Sequence, residues 1–130
     1  MSTRSMVCIK QSDKSLKAMY KHWDGYPEFM VPFLEKYDED DKAEELVKFE
    51  AVESFMTQEM KDSAQERFSD QYDEDKFVKL STGDYLYDGD GSPIIYKDLS
   101  ELWHDNPMVQ FVYVWDGYRW IVCDYDALDL

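Results

Sequence analysis

Apolar side chains alternate in short runs at both ends of the chain and recur at helical spacing between them. Val7-Cys8-Ile9-Lys10-Gln11 reads as a strand, Ser12-Asp13-Lys14-Ser15 as a polar turn, and Leu16 to His22 as a second strand. Together they predict an N-terminal hairpin. Asp24-Gly25 ends it. Pro27 suits the first turn of a helix, where its missing N–H costs nothing. Phe29, Phe33, Leu34 and Tyr37 then predict a short amphipathic helix over 27–37, with Pro32 near its first turn.

Asp38-Glu39-Asp40-Asp41 is a helix-start signal, because carboxylates cap free N–H groups and complement the positive end of the helix dipole. Leu46, Phe49, Val52 and Met56 follow at 3–4 spacing, predicting a helix from about 41 to 56. In the polar stretch Thr57 to Tyr72, Met60, Ala64 and Phe68 share a stripe, which fits a surface helix or a connection. Lys76 to Leu80 alternates as a strand. Tyr85-Leu86-Tyr87 and Ile94-Ile95-Tyr96 flank Asp88-Gly89-Asp90-Gly91-Ser92 and read as a hairpin. Asp98 to His104 reads as a short helix. Met108 to Trp115 and Tyr118 to Tyr125 form the clearest hairpin, joined at Asp116-Gly117, a pair suited to a type I′ turn.

The order hairpin, helices, hairpins predicts one α+β domain over 1–130. It is an antiparallel sheet of hairpins with two or three helices packed on one face. An acidic helical segment, about 38–75, lies between the hairpins. The length of 130 residues and 44% hydrophobic content fit one self-sufficient core. The 16% aromatic content argues against a disordered chain despite the charge.

Charge changes the picture through its placement. The net charge is −15. Residues 1–30 carry five basic and three acidic side chains, whereas 35–75 carry sixteen acidic and five basic, a net −11. Such a surface repels phosphate backbones and anionic membranes, so direct nucleic-acid or membrane binding is disfavoured. A protein with a basic surface is the expected partner. The candidate contact residues are Asp38, Glu39, Asp40, Asp41, Glu44, Glu45, Asp73, Glu74 and Asp75. A solvated, solubilising face is the alternative reading of the same residues. The sharper one is mimicry of DNA phosphates, which recur about every 1.7 Å of duplex axis.

Other chemistry is thinly represented. His22 and Asp24 offer a general base and its orienting carboxylate, but no nucleophile or oxyanion motif accompanies them. Two isolated histidines do not make a zinc pattern, and Cys8 and Cys123 lack metal spacing. Both cysteines read as reduced, with a bridge between them as the minority alternative. Counted from Asp88, a calcium loop needs Gly at the sixth position and Glu at the twelfth, where Pro93 and Leu99 stand. No catalytic residue, metal or cofactor is expected. Reduced cysteines, no signal-peptide pattern and no bilayer-length apolar run point to the cytoplasm. Trp23-Asp24-Gly25-Tyr26 echoes Trp115-Asp116-Gly117-Tyr118, read as two similar turns.

The stretch Tyr20-Lys21-His22-Trp23-Asp24-Gly25-Tyr26-Pro27 resembles the pattern Tyr-x-His-Trp-Asp-Gly-Tyr-Pro of a family of small, uncharacterised proteins of phages and bacterial mobile elements. Their helix ending near Leu-x-x-Tyr corresponds to Leu34–Tyr37, and their closing aromatic hairpin to Tyr113–Val122. Phe29-Met30-Val31 stands where members often have glycines. The resemblance carries over no catalytic residue. It implies a phage accessory protein in the host cytoplasm. The expected role is to bind and inhibit a host nucleic-acid-handling or defence protein. A small hydrolase or nucleotide-processing enzyme using His22 and Asp24, and a virion or assembly component, are the alternatives.

Overall fold

The computed structural model describes residues 3–124. Strands β1 (Ser5–Lys10) and β2 (Leu16–Lys21) form the expected N-terminal hairpin, with Cys8 opposite Ala18. Its turn closes through Gln11 N–H donating to Ser15 O at 2.8 Å, and Lys14 takes a positive φ of 73°. β1 is also flanked by β8 (Phe111–Trp115), which runs parallel to it, and β9 (Trp120–Asp124) continues the sheet antiparallel to β8. On the far edge, β2 is shared. Its first half pairs with β7 (Ile94–Tyr96) and its last two residues with β3 (Ala51–Val52).

The central strands are apolar at successive positions, which is the mark of a strand buried on both faces. Val7 and Ile9 point to one side, with α1 (Pro27–Leu34) and α2 (Asp40–Leu46) packed over them. Met6 and Cys8 point to the other, beneath Leu102 and Trp103 of α4 (Leu99–Asp105). The α+β class holds and its pairings are mostly antiparallel. Helices cover both faces rather than one, because two apolar faces need cover.

The expected helix over 41–56 ends at Leu46. Beyond it the chain is drawn onto the open edge of β2. Tyr20 N–H donates to Glu50 O at 2.9 Å and His22 N–H to Val52 O at 3.1 Å. The spacing of Leu46, Phe49, Val52 and Met56 fits a helix, but unpaired backbone at a sheet edge is the stronger demand. Buried Val52 and Phe55 anchor the extended alternative, β3 followed by β4 (Ser54–Met56). The acidic region 38–75 is therefore two helices separated by strands.

Residues 85–96 do not form a hairpin. β6 (Tyr85–Tyr87) lies between β4 and β5 (Phe77–Lys79) in a separate three-stranded sheet, while β7 crosses to β2. Asp88 at φ 56° redirects the chain, and Asp90 O accepts from Glu50 N–H and Ala51 N–H at 2.9 and 3.2 Å. The hairpin partner of β6 is β5, across a turn in which Gly83 has φ 93°. At the last hairpin Trp115 pairs with Trp120, as expected. Its turn has a positive φ at Gly117 but at neither neighbour, so it is not the type I′ turn, which needs two. Tyr125, at the expected end of β9, lies outside the described residues.

The small sheet has two unlike faces. Phe55, Leu86 and Val78 point into the main core. Ser54, Met56, Tyr85, Tyr87 and Phe77 alternate to the outside. Helix α3 (Gln58–Arg67) lies over that outer face. Thr57 starts it by accepting from Met60 N–H at 3.2 Å.

Candidate functional site

The Tyr20–Pro27 stretch folds into a corner where β2 turns into α1. The Tyr20 hydroxyl and His22 Nδ1 are hydrogen-bonded at 2.9 Å, so His22 engages Tyr20 rather than Asp24. The His22 ring meets Trp23 edge-on at 4.7 Å, and Trp23 Nε1 donates to Glu53 at 2.9 Å. Asp24 carries a positive φ of 55°. Gly25 N–H donates to Thr3 O at 2.8 Å, and its own carbonyl accepts from the Tyr113 hydroxyl at 2.6 Å. Tyr26 precedes α1, and Pro27 begins it. The motif residues thus tie the N-terminal segment, β8 and the β3–β4 corner together.

The residue in the variable position of that motif is Lys21, and it is fully buried. Its ammonium donates to Trp23 O and, at 3.1 Å, to Asp24 O. It also sits about 5 Å from the Phe29 and Phe55 rings. Burial lowers its pKa to about 7, partly opposed by the Asp24 charge. No charge or motif pattern in the sequence singles out Lys21. The available signal was its place two residues after Met19, on the core-facing side of β2.

The nine candidate carboxylates fall into two groups. Asp38, Glu39, Asp40, Asp41, Glu44 and Glu45 form one corner around α2. Within it, Asp40 accepts from Trp115 Nε1 at 2.8 Å and Glu44 pairs with Lys17. Glu39 pairs with Lys42 at 3.4 Å. Glu45 accepts from the Ser81 hydroxyl and N–H, which lowers its pKa. Asp38, Glu39, Asp40, Asp41 and Glu44 are exposed, and Glu45 is half-buried.

Asp73, Glu74 and Asp75 lie at the opposite end of β5 from Ser81. Asp73 caps a short 3₁₀ turn by accepting from Asp75 N–H at 3.0 Å. Glu74 accepts from Lys61 Nζ at 2.8 Å and from the Tyr72 hydroxyl at 2.7 Å. Lys61 is itself buried among the Tyr72, Phe77 and Tyr85 rings, 5.1–5.4 Å from their centres. The Glu74 hydrogen bond holds its pKa up and lowers that of Glu74.

Between α3 and the outer face of the small sheet runs an apolar groove of about 720 Å³. Met60, Ala64 and Phe68, the stripe visible in the sequence, form its helical wall. Met56, Phe77 and Tyr87 of the small sheet form the floor, and Trp23 also lines it. The chain matches no known protein family, no curated protein and no solved structure.

Proposed function

We propose that this chain is an accessory protein, of phage or mobile-element origin, that binds and inhibits a host protein with a basic surface. A nucleic-acid-handling or defence factor is the target class. The observation that carries this reading is the α2 corner. Six carboxylates crowd into eight residues there, against the ion pairs to Lys17 and Lys42. Five of the six are exposed. Opposed charge of this density steers association with a positively charged groove and makes it sensitive to salt. The likeness of Tyr20–Pro27 to mobile-element proteins supports the setting, while the corner supplies the contact. The separation of Asp73–Asp75 from α2 favours a compact acidic patch over a continuous phosphate-like row.

Immobilised protein is expected to retain a basic host protein from bacterial lysate at low salt and release it as salt rises. The triple variant Asp38→Asn/Glu39→Gln/Asp41→Asn should retain about tenfold less. None of these three residues contributes to the core. Equal retention by both proteins, or capture of no basic protein, would overturn the reading.

A further inference from the structure

We propose that the groove between α3 and the outer face of the small sheet is a second docking site. Its occupant is a segment of a partner protein that carries an arginine or lysine next to an apolar side chain. This deepens the reading of the chain as a protein-binding domain, and it does not require the α2 corner.

The groove follows from an unfilled packing demand. One face of β4, β6 and β5 is satisfied by the main core. The other presents Met56, Tyr87 and Phe77, and α3 does not cover it fully. Contact between helix and sheet runs through Lys61, set among the aromatic rings, and through Gln58, which accepts from the Tyr85 hydroxyl at 2.8 Å. Further along, α3 turns Met60, Ala64 and Phe68 to the groove at i, i+4 and i+8. The small side chain of Ala64 at the middle position leaves the space open. The resulting volume of about 720 Å³ falls in the range that holds a ligand or a few side chains. Phe68 is 54% exposed and Trp23 45%, so two large rings that line the groove remain open to solvent. Met56 and Met60 supply walls that adapt to the shape of a guest.

Charge selects the guest. Asp24 and Asp73 line the groove. Residues 53–75 hold eight carboxylates against Lys61 and Arg67, a net −6. Lys61 is committed to Glu74, and the Arg67 guanidinium lies 5.7 Å from the centre of the Phe68 ring. An incoming cation therefore meets a net negative surface and the faces of aromatic rings, a combination that favours guanidinium and ammonium groups. The fold already holds one cation this way: Lys61 sits against Tyr72 and Phe77, two rings that also line the groove. An anionic guest is repelled by the same charges. A purely apolar guest leaves the net negative charge around the groove unneutralised.

The test uses the full chain with isotope-labelled methionine methyls and tryptophan indoles. The probe is the peptide acetyl-Leu-Arg-Leu-Arg-amide, and its control carries citrulline, the neutral isostere of arginine, in place of each arginine. Added at millimolar concentration, the arginine peptide is expected to shift Met56, Met60 and the Trp23 indole. The citrulline peptide should bind about tenfold more weakly, as should the arginine peptide on Ala64→Arg. That substitution places a good helix former on an exposed stretch of α3, so folding is retained. The triple α2 variant should bind the probe as the wild type does, which separates failure of the groove from failure of the acidic corner. Shifts confined to Asp38–Glu45, equal binding of the citrulline peptide, or no shift at all would overturn the proposal. Shifts at the same residues on concentrating the protein alone would assign the groove to a second copy, and would overturn it too.

Discussion

Replacing Gly25 with Ala is expected to destabilise the protein by about 3 kcal/mol, the cost of forcing a methyl group into a filled site. A Cβ at this position would lie 2.6 Å from Ser5 Cβ, Ser5 Oγ and Thr3 O. Neither obstacle can yield cheaply. Thr3 O is backbone and already accepts from Gly25 N–H, and Ser5 lies in β1, paired with both β2 and β8. Moving the turn outward instead would stretch the hydrogen bond from the Tyr113 hydroxyl to Gly25 O and leave a buried phenol unpaired. Gly117 is the internal comparison, because a Cβ there meets nothing within 4 Å. Its Ala variant should lose only about 1 kcal/mol, from the positive φ of 98°. Denaturant midpoints of the two variants test the contrast. Wild-type stability in Gly25→Ala would mean that the corner is not locked onto β1.

Stability is expected to rise by about 2 kcal/mol between about pH 6.5 and 8.5, and Lys21→Met should abolish the rise. The buried ammonium has its pKa lowered to about 7, against an ordinary value of 10.5. Between those values the unfolded chain keeps its proton while the folded chain has lost it. The unfolded state then binds more protons, and stability grows with pH. The opposite sign sets in above about pH 9. Burial raises the Cys8 and Cys123 thiols, so they stay protonated in the fold while unfolded thiols ionise. The measurement therefore stops near pH 8.5. Urea unfolding across the window, wild type beside Lys21→Met, reads the effect. A flat wild-type profile would show that Lys21 keeps an ordinary pKa, either through bound water or through a carboxylate that moves towards it.

Local pattern carried the N-terminal hairpin, α1, α4 and the final hairpin, because in each the alternation or the cap is complete within a short window. It failed where the decision was made at a distance. Residues 47–56 have helical spacing, yet the open edge of β2 claims Ala51–Val52 as β3 and β6 claims Ser54–Met56 as β4. Tyr85–Tyr87 and Ile94–Tyr96 look like hairpin partners, yet β7 fills the rest of that same edge. Edge satisfaction is a property of the assembled sheet, and no window of sequence contains it. For the site, the acidic α2 corner and the Met60–Ala64–Phe68 stripe were both legible as patterns. The groove opposite the stripe was not, because its floor comes from three strands placed by tertiary pairing. The motif Tyr20–Pro27 reads chemically as a histidine beside an aspartate. In the fold its hydrogen bonds go to backbone and to Tyr20, Glu53, Thr3 and Tyr113, so its residues act on architecture.

The central claim is that the α2 corner meets a basic partner through charge. Its most direct test is the affinity of the captured partner measured over a series of salt concentrations, for the wild type and for Asp38→Asn/Glu39→Gln/Asp41→Asn. The wild type should weaken steeply as salt rises, and the variant should start weaker and fall less steeply, the two converging at high salt. Equal affinities with parallel salt dependence would contradict the claim, because the carboxylates of the corner would then contribute nothing to the contact.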